Sequence, residues 1–70
     1  MTINTSMIPV NSSAISAVGY DKNTQQMQIR FVQGHTYTFC RVPQKIFDDL
    51  LSATSKGTYY DRHIRDRYHC

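Results

Sequence analysis

The sequence lacks any apolar run approaching the roughly 18 residues that a membrane-spanning helix needs. Its first residues also lack the basic start and the apolar stretch of a signal peptide. From these two absences we expect a cytoplasmic protein that has no membrane partner. It would work in the cytosol by default, or in the cytosol of a host cell if the protein is viral. A chain of 70 residues has room for one domain.

Metal-ligating and catalytic residue types are few, and they form no recognisable motif. The two cysteines and three histidines do not occur in the short paired spacings of zinc sites. His35 and Cys40 are five positions apart, so on one strand they would face opposite sides of the sheet. No nucleophile, acid and base stand together in a catalytic pattern. We therefore expect a protein that is not an enzyme and that binds no metal or cofactor.

The two cysteines raise the question of a disulfide. Cys40 lies in a strand-like run, where a free cysteine behaves as a small apolar residue. Cys70 ends the printed sequence, where we expect loose structure. In a reducing compartment both would remain thiols. We therefore expect two free cysteines, with a single bridge between them as the alternative.

Apolar periodicity predicts three strands followed by helices. Met27, Ile29 and Phe31 alternate with polar residues, as in a strand with one buried face. Pro43 ends the last strand and suits the first position of an amphipathic helix. The predicted strands are residues 14–20, 26–32 and 35–42, and the predicted helices are residues 43–53 and 58–68.

This order of elements predicts an α+β fold, a three-stranded antiparallel β-meander followed by one or two C-terminal helices packed on one face. Residues 1–6 are polar and predicted to be flexible, and residues 7–70 to form the single domain. A chain this short buries only about 60% of its unfolded surface. A functional site must therefore be a shallow groove or an interface between copies of the chain.

The turn at residues 33–34 leaves open which face of the sheet Tyr37 and Phe39 occupy. A two-residue loop pairs Arg30 with Tyr37, which places both rings on the polar face as a platform for stacking bases. A three-residue loop pairs Phe31 with Tyr37 and buries both rings, because a one-residue slip exchanges the faces. We expect at least Phe39 in the core, since a small domain needs its large apolar groups there.

Positive charge concentrates in residues 56–70, called here the basic segment. It holds four of the eight Lys and Arg residues but only two of the five acids, so most of the net charge of +3 lies there. Arginine forms paired, charge-assisted hydrogen bonds with phosphate. Backbone N–H groups at residues 55–57, just before a helix, also suit an anion. The predicted phosphate-binding corner consists of Lys56, Gly57, Arg62 and Arg65.

Each of these residues also has a purely structural interpretation. Asp61–Arg65 and Arg62–Asp66 pairs on a solvated helix face would use the same arginines. Tyrosines among the bases stack on nucleobases, or they cover the edge of a small core with the hydroxyl in water. Ser13 either pins the chain before the first strand or contacts a phosphate. The full predicted binding set is Lys56, Gly57, Tyr60, Arg62, Arg65, Tyr37, Ser13 and Arg30, with Arg67 as a further base.

Several stretches, in this order, resemble the KTSC domain family. They are SSAISAVGYD (residues 12–21), the strand pair around Gly34 with Tyr37-Thr38-Phe39, Val42-Pro43, and SKGTYYDRHIRDRY (residues 55–68). Phe39 stands where the family carries the second tyrosine of a Tyr-x-Tyr. Asp61 stands where the family has asparagine.

The resemblance implies a small domain that also occurs at the C-terminus of some lysyl-tRNA synthetases and alone in bacteria and phages. The synthetase context suggests RNA binding. We therefore expect a non-enzymatic module that binds RNA or a nucleotide-type polyanion through its basic, tyrosine-rich C-terminal segment. The alternative is a phage or bacterial module that binds a protein or a nucleotide ligand, as an oligomer that sequesters it or as an inhibitor. A purely structural domain that pairs with another protein is the third possibility.

Overall fold

The computed structural model describes residues 6–70, and it has the α+β architecture that the sequence predicts. The predicted flexible stretch therefore lies outside the described residues, apart from Ser6. No helix within the described range is long and apolar enough to cross a membrane. The elements are β1 (Ile8–Pro9), β2 (Ile15–Asp21), β3 (Gln26–Phe31), β4 (Thr36–Phe39), α1 (Gln44–Ser52) and α2 (Lys56–His63).

The sheet is an antiparallel meander in which the strands lie side by side in chain order, β1-β2-β3-β4. The prediction of three strands is correct for β2 to β4 and omits β1. This two-residue strand pairs Ile8 with Val18 and Pro9 with Ala17 at one edge of the sheet. Proline is tolerated at an edge because its missing N–H group is not needed by a further strand. Two residues are too few to show an alternating pattern.

The β3–β4 hairpin has a register that neither predicted pairing describes. Its loop is three residues long, since the Phe31 N–H group donates to the His35 carbonyl at 2.9 Å. Gly34 supplies the backbone bend, with φ of 106°, and its N–H group donates to the Phe31 carbonyl at 2.8 Å. Tyr37 lies opposite Ile29, so both predicted partners of Tyr37 are wrong.

The prediction about faces is confirmed for Phe39. It lies opposite Met27 on the helix-covered face of the sheet and is buried. Tyr37 shares that face because it is two residues away on the same strand. Tyr37 nevertheless remains 53% exposed.

Both helices pack on this one face of the sheet. The Tyr20 ring stacks on the Phe47 ring of α1, with 5.1 Å between the centroids, and the Tyr20 hydroxyl donates to the Val42 carbonyl. Burial and the nearby Asp48 carboxylate raise the pKa of Tyr20. The buried core consists of Ile15, Val18, Met27, Ile29, Phe39, Val42, Phe47, Leu50 and Ile64.

α2 (Lys56–His63) begins two residues before the predicted helix of residues 58–68 and ends earlier than predicted. The Ser55 hydroxyl accepts a hydrogen bond from the Thr58 N–H group at 3.3 Å, as N-cap residues do. The predicted continuation of the helix to residue 68 is wrong. The chain turns after His63, and Asp66 adopts a positive φ of 63°, which a helix does not allow.

This turn brings Cys70 back to the end of β4, and the expectation of two free cysteines is wrong. Cys40 and Cys70 form a disulfide, with their Cα atoms 4.8 Å apart. The Cys40 N–H group also donates to the Tyr68 carbonyl at 3.1 Å, which aligns the two chain segments. Cysteines bridge only when their Cα atoms lie this close, and the predicted longer helix would have carried Cys70 away.

Candidate nucleic-acid interface

Four aromatic side chains form a contiguous surface at the β4 side of the sheet, called here the aromatic edge. Tyr37 meets Phe31 edge to face, with 5.6 Å between the ring centroids, and Phe31 meets Tyr60 of α2 in the same way at 5.1 Å. The His35 ring lies 6.3 Å from the Tyr37 ring. These are favourable aromatic geometries, so each ring holds its neighbour in place. The aromatic edge consists of Phe31, His35, Tyr37 and Tyr60.

Exposure differs along the aromatic edge. Tyr60 is half-buried because it also packs edge to face on Phe39, with 6.0 Å between the centroids. Tyr37 lies on the last strand of the sheet, where it is 53% exposed. The sequence left two roles open for these tyrosines, stacking on bases and covering the core, and the structure assigns a different one to each residue's position. Tyr60 mainly covers the core, whereas Tyr37 presents a ring to the solvent.

Charged groups surround the hydroxyl of Tyr60. Burial raises its pKa, and the Asp61, Asp66 and Tyr37 side chains act in the same direction. The Arg65 guanidinium opposes them, because a nearby cation favours the phenolate. A guanidinium therefore lies within electrostatic reach of the aromatic edge.

The ion pairs predicted for the basic segment form only in part. Arg65 and Asp61 are 3.5 Å apart, and both side chains are well exposed. Such a surface pair contributes less than about 1 kcal/mol, so it does not prevent Arg65 from contacting a ligand. Arg62 is also exposed, and no Arg62–Asp66 pair forms among the ion pairs of residues 6–70.

A polar cleft of about 250 Å³ opens at the start of α2, and we call it the serine cleft. The Ser12 hydroxyl accepts hydrogen bonds from the Ala14 and Ile15 N–H groups, so Ser12 pins the chain before β2. Ser13 is exposed beside it. The lining consists of Asn11, Ser12, Ser13, Thr54, Ser55, Lys56 and Gly57.

Lys56 has a structural partner that the sequence did not reveal. Its ammonium group donates to the Ala53 carbonyl at the end of α1, at 3.0 Å. A cation at this position stabilises the negative end of the helix dipole. Of the predicted four-residue phosphate corner, Lys56 and Gly57 line the serine cleft, whereas Arg62 and Arg65 lie outside its lining.

Arg30 lies on the opposite, uncovered face of the sheet. Its cross-strand partner is Thr36, and its Nε atom is 3.5 Å from the Thr36 hydroxyl. Neighbouring residues on a strand point to opposite faces, so Arg30 and Tyr37 do not share a surface. The structure thus separates Arg30 from Tyr37, with which one predicted register had paired it.

A second cleft, of about 330 Å³, contains the disulfide, and we call it the disulfide cleft. The Gln26 side-chain amide nitrogen is 4.0 Å from the Cys40 sulfur. The side-chain oxygen of Gln26, Oε1, is buried and has no hydrogen-bond partner among the described residues. Sequence patterns gave no signal for this cleft, because it depends on the turn that follows α2. Its lining consists of Thr24, Gln26, Cys40, Arg41, His69 and Cys70.

The described part of the chain contains no group of three or more His, Cys, Asp or Glu side chains arranged to hold a metal ion.

Comparison with known proteins identifies relatives over nearly the whole chain. The family model described as KTSC domain matches residues 11–68. A protein of Tsukamurella paurometabola is 45% identical over 62 residues, which cover 89% of this chain and 92% of that protein. The crystal structure of a KTSC domain protein from Yersinia pestis superposes with a TM-score of 0.89 at 33% identity, covering 91% of this chain and 90% of that one.

Lysine–tRNA ligases also contain a similar stretch. The ligase of Nostoc punctiforme is 29% identical over 62 residues, which cover 89% of this chain. The matched region is only 11% of that ligase, so the similarity concerns one small part of a much longer protein.

Proposed function

The chain belongs to the KTSC domain family, and we propose that it is a non-enzymatic module that binds single-stranded RNA at the aromatic edge. The observation that carries the proposal is the ring of Tyr37, which is 53% exposed although Phe31 holds it at 5.6 Å. An aromatic ring that is both exposed and fixed binds with a small loss of side-chain entropy. We propose a cytoplasmic location, in which the Cys40–Cys70 disulfide would form only under oxidising conditions.

Unpaired bases are the ligand that suits such a ring. Bases of single-stranded RNA stack on aromatic side chains, whereas bases in a duplex are already stacked on each other. His35 lies beside Tyr37 and offers a second flat surface for a neighbouring base. This arrangement favours single strands over duplexes.

Phosphate groups would be held by the basic segment. Arg62 and Arg65 are exposed, and Arg65 is close enough to Tyr60 for its charge to oppose the rise that burial causes in the pKa of Tyr60. A strand stacked on the aromatic edge would therefore have its backbone near at least one guanidinium. Arginine is well suited to this contact because its N–H groups form a planar fork.

The serine cleft offers a place for a further phosphate. Gly57, which lines it, precedes Tyr60 by three residues on α2, which is a rise of about 4.5 Å along the helix. The volume of about 250 Å³ is smaller than that of a typical small-molecule pocket. It therefore suits one group of a longer ligand better than a whole free nucleotide, with the Ser13 hydroxyl as a candidate donor.

The relatives support the same ligand class by analogy. Lysine–tRNA ligases, which by their name act on a tRNA, contain a segment similar to this chain. The segment covers 11% of each ligase, so a contribution of this segment to the activity of those ligases is itself part of the proposal.

The deciding experiment measures binding of single-stranded and duplex RNA by fluorescence anisotropy at several salt concentrations. We expect tighter binding to the single strand, with affinity that falls steeply as salt rises. The Arg62→Ala/Arg65→Ala variant should bind more weakly. Its plot of log affinity against log salt should be shallower by about 1.4, because two phosphate contacts are lost.

A matched control removes equal charge elsewhere. Lys22→Ala/Lys45→Ala also takes away two positive charges, from exposed positions outside the basic segment. It should change affinity much less and leave the salt dependence unchanged. Equal losses of RNA affinity in the two double variants would indicate unspecific attraction of RNA to a basic protein. No binding by the wild type would refute the proposal and favour a protein or nucleotide ligand.

A further inference from the structure

Residues 65–70, called here the clasped segment, lie against the end of β4 with few non-covalent contacts. Five of the six residues are exposed, and Tyr68 alone packs partly against the core. One backbone hydrogen bond joins the segment to the sheet among the described residues, from the Cys40 N–H group to the Tyr68 carbonyl at 3.1 Å. The covalent bond between Cys40 and Cys70 is the second attachment to this end of the sheet, and it places the Cys70 sulfur 3.6 Å from the Thr38 carbonyl oxygen.

The rest of the domain does not need this segment for its core. Within residues 6–70, all the buried apolar side chains lie from Ile15 to Ile64, and Ile64 precedes the clasped segment. The sheet and both helices also end before residue 65. Release of the segment from β4 would therefore remove one backbone hydrogen bond and the packing of Tyr68. Its other backbone hydrogen bonds, from the Arg65 N–H group to the Tyr60 carbonyl at 2.9 Å and from the Arg67 N–H group to the Ile64 carbonyl at 3.1 Å, join it to the end of α2 and do not involve the sheet.

The disulfide is open to a reagent from the solvent. Cys70 is exposed, Cys40 is half-buried, and both line the disulfide cleft. Arg41 and His69 line the same cleft, and the Gln26 amide nitrogen lies 4.0 Å from the Cys40 sulfur. A cation and an N–H donor beside a sulfur stabilise its thiolate form. The exposed sulfur is thus the one to be attacked, and the half-buried one is the leaving group.

From this geometry we propose that the Cys40–Cys70 disulfide is a redox-controlled clasp, which a dithiol reductant opens while the sheet and helices remain folded. The inference is independent of RNA binding. It concerns the attachment of the clasped segment, whatever ligand the domain takes.

The reaction is an ordinary thiol–disulfide exchange. A thiolate of the reductant attacks the Cys70 sulfur, the bond to Cys40 breaks, and its electron pair stays on Cys40 as a thiolate beside Gln26 and Arg41. The second thiolate of the reductant then attacks the mixed disulfide and releases the Cys70 thiolate. The reductant leaves as its own disulfide, having given two electrons, and both protein thiolates take up protons from water according to their pKa.

Limited trypsin digestion with mass spectrometry tests the clasp, because the segment contains cleavage sites after Arg65 and Arg67. Arg30, in β3, reports on the folded sheet. In dithiothreitol we expect cleavage after Arg65 and Arg67 to accelerate by about tenfold or more, as for a locally opened segment. Cleavage after Arg30 should stay slow.

The variant Cys40→Ser/Cys70→Ser distinguishes the effect of losing the disulfide from any other effect of the reductant. It should show the fast cleavage after Arg65 and Arg67 without dithiothreitol, and adding the reductant should change nothing. Equal protection of these sites in the reduced and oxidised wild type would overturn the proposal, because non-covalent contacts would then suffice. Equal acceleration after Arg30 would also overturn it, since the bond would then maintain the whole fold.

Discussion

Tyr37 and Ile29 lie directly opposite each other on adjacent strands, yet Ile29 has no exposed surface and Tyr37 exposes 53% of its own. Cross-strand partners share a face of the sheet, so the difference does not come from the pleat. It comes from position, because β3 is flanked on both sides and β4 is the last strand. Backbone pairing therefore sets both the face and the edge of the sheet at which this ring meets the solvent.

Replacing the Tyr37 ring should weaken RNA binding selectively. We expect Tyr37→Ala to cost about 1–3 kcal/mol of binding free energy for single-stranded RNA, the amount typical of one stacked base. Tyr37→Phe keeps the ring and should bind nearly as well as the wild type. Fluorescence anisotropy with a fixed RNA at low salt measures both variants.

The control for Tyr37 lies in the same hairpin. Val32 is apolar and 55% exposed but has no aromatic ring, so Val32→Ala should leave RNA affinity unchanged. Thermal unfolding should show that Tyr37→Ala remains folded, because half of this side chain is already in water. Unchanged binding by a folded Tyr37→Ala protein would remove Tyr37 from the site.

Gly57 and Ala14 should be energetically coupled. A Cβ atom at residue 57 would lie 3.1 Å from the Ala14 Cβ atom, which is closer than side chains normally approach. Alanine is otherwise the better helix former by about 1 kcal/mol. We therefore expect Gly57→Ala to be more favourable in the Ala14→Gly background than in the wild type, by about 0.5–1 kcal/mol. Urea unfolding of the four proteins measures this difference.

Additive effects in that cycle would contradict the close contact. The geometry also gives Gly57 a role that needs no ligand. Without a side chain at residue 57, the first turn of α2 can approach the segment before β2. Loss of RNA binding in Gly57→Ala should therefore be interpreted only together with its stability.

The regular elements could be predicted because their residues repeat at the period of the element. Met27, Ile29 and Phe31 alternate in β3, and Phe47 and Leu50 lie on one stripe of α1. These local patterns located β2 to β4 and both helices. β1 has two residues and therefore no period to detect.

The site was harder to predict because it depends on contacts between distant residues. The position of Tyr37 follows from a hairpin register that a one-residue change would reverse. Lys56 looked like a phosphate ligand, but its ammonium group donates to Ala53. The disulfide of Cys40 depends on a turn at Asp66, where a non-glycine residue has positive φ. No periodic pattern encodes any of these three features.

Removing the Ser55 cap should destabilise the domain. The Ser55 hydroxyl accepts a hydrogen bond from the Thr58 N–H group, which has no other helical partner at the start of α2. Ser55→Ala should lower the free energy of unfolding by about 1 kcal/mol, whereas Ser55→Asp should retain most of the stabilisation that the cap provides. Urea unfolding at neutral pH measures both. Equal losses in the two variants would show that the hydroxyl does more than cap the helix.

Alkaline pH should destabilise the domain through its tyrosines. Burial raises the pKa of Tyr20, Tyr59 and Tyr60 above the ordinary value of 10.0. The unfolded chain therefore loses these phenolic protons at lower pH than the folded domain does. Where the folded state holds more protons, stability falls as pH rises. The stabilisation is fully present below pH 10.0 and is lost as the pH rises towards and through the raised pKa values.

Urea unfolding between pH 7 and pH 11 tests this dependence (a range that spans the ordinary tyrosine pKa of about 10). Tyr59→Phe/Tyr60→Phe keeps both rings and removes two of the three hydroxyls whose pKa is raised, so its stability should fall less between pH 9 and pH 11, on either side of the ordinary value. Tyr20 needs separate treatment, because its hydroxyl also donates to the Val42 carbonyl. Tyr20→Phe should be less stable than the wild type already at pH 7, below the titration of any tyrosine. An alkaline loss equal to that of the wild type in the double variant would assign the effect to other groups, such as lysines.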